Sequence, residues 1–569
     1  MNEENFINIR KLPPLTRLIY TIGELPTSYL MSMTYEEQLI WLCNYLAKTV
    51  IPTINNNADL VVELEDYIKN LDLDSEVRTV LNEMIEDGTL EEIINQEIFG
   101  ELNSKVTTLE NKTANLTTDE NNIQKLLKFN EYTNKPLKYG KLNYPTEFSD
   151  IPFNLYRDND NKIYDDLDLT SYDTTSNIVY VDYDNGNDTT HENATFKTIK
   201  GALTYINART GNNFKILCKT YRFCRGEVWN ESGDNTTFVT NKNIVIAPYD
   251  ETKRIMIAPE QRGLSWNNEG GGVWSTTRAG VTGMYNLQVT DGFGMHPALT
   301  KVDSLEDCQS TVESWYLSGS TLYVHTRGNL QPTFERYMVR LGLHTFDVDL
   351  NGNHFLRLRN IDFYPSAHIG FRNSSSSSYE STAIMENVRI YGTNDNNGFS
   401  FVNVKYVYVL NCVTGENLRD GFNYHYDDLP SAQITASYVY EKNTTSFRNG
   451  LNDTNHNNNC STIHEGGRII RVNNVYQNSK GPIVADIGSP RVLMINCNVT
   501  QEISGSSFNL AYDFLDATGS NSGIAYLIDC TSNQYQTLSL NGSENFKIRL
   551  KNFKGNYENS DLDIQLYNE

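Results

Sequence analysis

LRLRNIDF at 356–363, IMENVRI at 384–390, YVLNCV at 408–413 and LMINCNV at 493–499 share one form: alternating apolar residues, an asparagine, then a second alternating run. ITASYV (434–439), IRVNNVY (470–476), YLIDCT (526–531) and IRLKNF (548–553) repeat it with variations. The turn markers read as Asn360, Asn387, Asn411, Ser437, Asn474, Asn496, Asp529 and Asn552, at intervals of 27, 24, 26, 37, 22, 33 and 23 residues. Local alternation with such a period predicts a mainly β fold, a parallel β-helix. Each coil supplies about three short strands that bond to their equivalents above and below. Stacked asparagines can share side-chain amide bonds along a column. Cys412, Cys497 and Cys530 follow the marker in three coils and are expected as small interior residues rather than disulfide partners.

The whole chain has 569 residues, too many for one ordinary core, so several structural units are expected. A formal charge of −24 creates a field that repels nucleic acid and anionic membrane, and neither is expected as a partner. The opening MNEENFINIRKLPP has no basic segment leading into an apolar run, and no stretch of 18 apolar residues occurs. A soluble acidic protein made in a reducing cytoplasm is the expectation.

Residues 1–97 read as helical. Thr34 and Glu37 have capping-box spacing ahead of Leu39, Ile40, Leu42, Cys43, Leu46 and Val50, and Pro52 ends the run. Thr89 and Glu92 form a second box. Leu102, Leu109, Leu116 and Ile123 then recur every seven residues, with Phe99, Val106 and Thr113 on the complementary seam. That pattern predicts a coiled coil over 98–129, with a lone amphipathic helix as the other reading. Residues 130–175 are polar and read as a neck, and 176–569 as the β-helix.

Polar residues concentrate between 420 and 486. Asp420, His464 and Asp486 lie 44 and 22 residues apart, so regular coils would bring them to one wall. Asn397, Asp420 and Asn449, each preceding a glycine, suggest a neighbouring column. Asp420, Glu465 and Asp486 are candidate acid, base or nucleophile, because glycan hydrolysis uses paired carboxylates. His425 and His464 are candidates for proton transfer, and Tyr424, Asp453 and Arg468 for polymer contact. The same acidic and imidazole groups can alternatively hold a divalent cation, or serve only solenoid turns. Trp229, Trp266, Trp274, Trp315 and Tyr316 are candidate sugar-stacking residues.

Three stretches carry a resemblance. IVYVDYDNGNDTTHENATFKTIKGALTYI (178–206) resembles the opening of pectin-lyase-like right-handed parallel β-helix proteins, where a strand, a Gly-Asn-Asp turn and a capping helix begin the solenoid. DGFNYH (420–425), STIHEGG (461–467) and GPIVADI (481–487) resemble a pattern in phage tailspikes. DGTLEEII (87–94) resembles the attachment region of receptor-binding proteins from short-tailed phages of Gram-positive bacteria. The resemblance implies a homotrimer on a virion, docked to tail or connector proteins through its N-terminal helices. It implies binding, and often hydrolysis, of host wall teichoic acid or surface polysaccharide. No Gly-His-Gly or Arg-Ile-Lys step occurs, so the polygalacturonase catalytic set is not carried over. A non-catalytic receptor-binding appendage is the alternative, and a secreted bacterial polysaccharide enzyme a third reading.

Overall fold

The computed structural model describes residues 140–567 apart from short segments, the longest being 229–237 and 502–509. The helices expected at 1–97, the coiled coil at 98–129 and Trp229 lie outside the described residues.

The alternating segments build coils of three strands. One coil comprises Tyr406–Leu410, Val413–Gly415 and Phe422–His425; the next comprises Tyr438–Lys442, Thr445–Phe447 and Ser461–Ile463; the next comprises Arg468–Val472, Val475–Gln477 and Val484–Ile487. Equivalent strands stack in parallel, with Tyr406 beside Tyr438, Val413 beside Thr445 and Phe422 beside Ser461. Among the described residues the three sheets hold 13, 9 and 9 strands, termed here the long, second and third sheets. The described residues form a right-handed parallel β-helix, the hand that parallel crossovers adopt.

Inward side chains of all three sheets, among them Val409, Cys412, Phe401, Phe422 and Val484, merge into one continuous core. Its aromatic residues stack coil on coil, as in Phe399 on Phe422 at 5.3 Å and Phe401 on Tyr424 at 5.1 Å. Cys412, Cys497 and Cys530 are buried and unpaired. At the first end, strand Ile178–Val181 is followed by helix Ile199–Asn207. The Thr198 hydroxyl accepts from the Gly201 N–H at 2.9 Å, and Asp188 accepts from Lys197 N and Thr198 N. The helix buries Ile199, Ala202, Leu203 and Ile206 against the core.

The turn after eight of the long-sheet strands, from Phe355–Arg359 to Lys547–Lys551, is left-handed. Asn360, Asn387, Asn411, Asn443, Asn473, Asn496, Asp529 and Asn552 have φ between 51° and 56°, a region asparagine and aspartate tolerate better than most residues. Two expected markers are corrected. Ser437 is replaced by Asn443, because 431–436 is a helical turn and the strand begins only at Tyr438. Asn474 is replaced by its neighbour Asn473, and Asn474 turns inward, where its Oδ1 accepts from Thr444 N at 2.9 Å. The side chains form a ladder: Asn387 donates to Asn360 (2.6 Å), Asn443 to Asn411 (3.0 Å), Asn473 to Asn443 (3.2 Å), Asn496 to Asn473 (2.9 Å) and Asn552 to Asp529 (2.8 Å).

The outer face of the long sheet is apolar, with Tyr408, Tyr438, Tyr440, Ile470 and Leu493 buried there. Residues 140–172, read from sequence as part of a polar neck, cover it. Phe148, Phe153, Leu155 and Ile163 pack on this face, and the Phe153 and Tyr440 rings lie 4.4 Å apart. Ion pairs Arg468–Asp150, Lys442–Asp165 and Lys215–Asp173 fix the strap along its length. Few apolar residues spaced among many Asp and Asn are enough for this, which is why the segment looks polar in sequence.

Between Ile255–Ile257 and Phe346–Asp349 the solenoid is interrupted by an antiparallel insert. Strands Val273–Thr277, Thr321–His325 and Ser314–Ser318 pair in that order, and Val281–Asn286 pairs with Tyr337–Leu341. Trp315 is buried in the insert's own core with Trp266 packed against it, so Trp315 is not available for sugar stacking.

Replacing Asn443 by Ala removes two rungs of the ladder and puts a Cβ-bearing residue without local compensation at φ 53°. We expect a loss of about 1–2 kcal/mol in urea unfolding. Asn443→Gly should recover part of it, since glycine relieves the backbone term and not the ladder.

Candidate functional site

Alternation along the third sheet decides which side chains face out. Phe422 and Tyr424 belong to the interior, so Asn423 and His425 face outward. Thr462 pairs with Asn423, and His464 N donates to Tyr424 O at 2.9 Å, continuing the same ladder. The His425 and His464 rings therefore stack, with centroids 4.0 Å apart and planes 13° from parallel. Glu465 follows in a left-handed conformation, φ 59°, uncommon for a glutamate. Its Oε2 accepts from Tyr426 N at 2.8 Å, and its Oε1 lies 3.5 Å from His425 Nδ1. Gly466 continues the turn at φ 77°, where a Cβ would stand 2.3 Å from the Gly488 carbonyl oxygen, so only glycine fits.

The three groups titrate apart. Burial lowers the proton affinity of His425, but the Glu465 and Asp427 carboxylates outweigh it and the net shift is upward. Burial and then repulsion from His425 push His464 down to about 4. Burial opposes ionisation of Glu465, yet hydrogen bonds from His425 and the Tyr426 N–H hold it below the usual range. At neutral pH Glu465 is a carboxylate and His464 is neutral, while His425 holds a proton more readily than an ordinary imidazole. A proton donor and a proton acceptor thus stand face to face.

Asp420 lies at the entry to the third-sheet strand. Its Oδ1 accepts from Asn459 N and its Oδ2 from Asn423 Nδ2, both at 2.7 Å. Burial raises it to about 6. The charge of His425 acts on it in the opposite sense, favouring the ionised carboxylate. Asp420 pairs with Asn459 in its column; Asn449, expected beside it, bonds instead to Asn417 at 2.8 Å inside the second turn.

Asp486 does not join this group. It pairs with Ile463 in register and so shares the inward column of Tyr424. It is fully buried, and Arg471 grips it with bonds of 2.7 and 2.8 Å. A spacing in multiples of 22 selects a coil, whereas one residue of parity selects the face. Tyr424 is likewise interior, 1% exposed. Arg468 is buried under the strap, bonded to Asp150 at 2.5 Å. Asp453 accepts from Asn455 N at 2.7 Å and His456 Nδ1 at 2.9 Å within its own loop. Sequence reasoning missed Asp513, which lies in the outward column Asn423, Thr462, Ala485, Asp513. Burial raises its carboxyl above the usual range. Strand pairing, which only the structure supplies, was the signal needed.

Ligand atoms of His425, His464 and Glu465 lie within 4.8 Å of one another. Near-parallel stacked imidazoles aim their in-plane lone pairs side by side rather than at one point. His425 Nδ1 faces Glu465, and His464 Nε2 lies 3.3 Å from Thr462 Oγ1. The group fits proton transfer better than a divalent cation.

No protein-family model and no curated protein matches the sequence. Among solved structures, a glycoside hydrolase matches over 67% of this chain and 97% of its own, at 9% identity and TM-score 0.39. XylC in complex with xylose matches over 66% and 68%, at 10% identity and TM-score 0.37. Pectate lyase Pel9A matches over 70% and 81%, at 14% identity and TM-score 0.26.

Asp486→Asn should leave Arg471 buried without its full counter-charge. We expect about 3–5 kcal/mol of destabilisation in denaturant unfolding. Asp420→Asn, which keeps both acceptor geometry and shape at one oxygen, should cost under about 1.5 kcal/mol.

Proposed function

We propose that the protein binds and hydrolyses a host cell-surface polymer, wall teichoic acid or a surface polysaccharide, as the appendage of a bacteriophage virion. The observation that carries the hydrolytic reading is the stacked His425–His464 pair with oppositely shifted proton affinities beside Glu465. His464 takes the proton from an attacking water or hydroxyl, His425 delivers one to the leaving oxygen, and Glu465 orients His425. Asp420, raised to about 6, is the second candidate donor. The phage setting rests on the sequence resemblance, with the chain as a homotrimer held by the heptad seam at 98–129 and residues 1–97 docking on the tail.

The test is incubation of the purified protein with Gram-positive cell walls, with released polymer measured across pH. His464→Gln and His425→Gln should each lower release about a hundredfold or more while leaving the fold intact. Binding without release by the unaltered protein would favour the non-catalytic appendage instead.

The pH profile separates the two donors. A base at His464 works only when deprotonated, so activity should fall as pH drops through about 4. A donor must be protonated, so the other limb is a loss as pH rises. With His425 as donor that limb lies above its ordinary 6.5; with Asp420 it lies near 6.

A further inference from the structure

The charge around the imidazole pair bears on which polymer it accepts. Glu465 Oε1 lies 3.5 Å and Asp427 Oδ1 3.6 Å from His425 Nδ1, and the charge of Asp420 acts on the same ring. Between residues 400 and 500 the chain has eight lysines and arginines, and most are committed elsewhere. Lys405, Lys442, Arg448, Arg468 and Arg471 are each held by a carboxylate of their own. Lys480 donates to the Asp453 carbonyl, and Arg491 opens a long-sheet strand in register with Arg468. Arg419 bears on the group, its charge favouring the ionised form of Asp420. Arg372, two coils before His425 in the same column, is held by Asp347 at 2.9 Å.

Hydrogen bonding has the same polarity. Asn423 stands two residues before His425 on the outward side of its strand and is only 3% exposed. Its Nδ2 donates to Asp420 Oδ2 at 2.7 Å, which fixes the amide, and its Oδ1 is buried without a hydrogen-bond partner among the described residues. A buried carbonyl oxygen without a donor is unfavourable, so a ligand that brings an O–H gains there. The oxygens of a phosphodiester or an ionised carboxylate only accept. Cleaving a phosphodiester also calls for cations where charge builds on the phosphoryl oxygens, and a protonated His425 already faces two carboxylates.

We infer that the site accepts an uncharged, polyhydroxylated glycan and rejects polyanionic chains, so that its substrate is a neutral surface polysaccharide rather than teichoic acid. The selectivity presupposes that the imidazole pair is where the polymer is held. It has a repulsive part, Glu465, Asp427 and Asp420 against phosphate, and an attractive part, a sugar hydroxyl donated to Asn423 Oδ1.

The test uses the full chain and two fractions of a Gram-positive wall separated by anion exchange, polyol-phosphate teichoic acid and uncharged polysaccharide. Binding is measured for each, and cleavage is followed as new reducing ends from the glycan and new phosphomonoesters from the teichoic acid. The uncharged fraction should bind about tenfold or more tighter, independently of salt, and residual binding of the anionic fraction should strengthen as salt screens the carboxylates. Asp427→Lys, at an exposed position, should narrow the preference about threefold or more. Asn423→Leu should weaken binding of the uncharged fraction about fivefold or more; if that variant does not fold, Asp427→Lys decides. Selective binding of the uncharged fraction without cleavage of either leaves the inference standing and removes the hydrolytic reading. Preferred binding of teichoic acid, equal binding of both, or phosphomonoester release that His464→Gln abolishes overturns the inference and leaves the polymer reading intact. Binding of neither fraction removes both.

Discussion

Parallel stacking in strict register is the constraint from which the rest of this structure follows. Each strand must satisfy its N–H and C=O groups with the coil above and the coil below. Once register is fixed, the side-chain period of two assigns every residue to the core or to the outside, without freedom to adjust locally. Phe401, Tyr424, Ile463, Asp486 and Phe514 form one such column, and each faces inward whether or not it is apolar. The cluster of His425, His464 and Glu465 exists because the adjacent column faces out and successive coils bring equivalent positions to about 4.8 Å.

The same constraint explains what the sequence conveyed and what it did not. Alternation and left-handed asparagines are local features, so Asn360, Asn387, Asn411 and Asn496 could be recognised without a structure. Where two residues meet the pattern equally well, as at Asn473 and Asn474, only the backbone conformation decides. At ITASYV the alternation is an accident of a helical turn running into a strand, and the marker lies six residues on. The imidazoles were legible as a concentration of polar groups on successive coils. Their stacking was not, since it depends on where the long loop between Phe447 and Ser461 returns to register. Asp486 shows the converse: correct coil, wrong face.

The insert and the strap were hidden for different reasons. Residues 263–342 have strand-like alternation of their own, and nothing local distinguishes antiparallel partners from parallel ones. The strap has too few apolar residues to look like an element of a core. Its burial depends on a hydrophobic surface more than two hundred residues away, formed by Tyr408, Tyr438, Tyr440 and Ile470. A parallel sheet is ordinarily covered on both faces, so an apolar outer face on the long sheet already calls for a cover of this kind.

Directly behind the imidazoles the core is polar. Glu441 and Arg471 occupy adjacent inward positions of the long sheet, and Arg471 crosses the interior to Asp486 on the third. Ser461 joins them, donating to Glu441 at 2.7 Å and accepting from Arg471 at 2.8 Å, and the Tyr476 hydroxyl donates to Glu441. All five are essentially without solvent. Such a network contributes little net stability compared with well-packed apolar residues, and breaking it is expensive. What it supplies here is position. Asp486 Oδ1 accepts from Ile463 N at 3.1 Å, one residue before His464, so the guanidinium of Arg471 is coupled through Asp486 to the backbone that presents the imidazole. Directional bonds from the opposite wall tie this part of the third sheet to the long sheet. The carboxylate that the sequence suggested as a reacting group thus bears on the site from the other side of the sheet, as part of what holds His464 against His425.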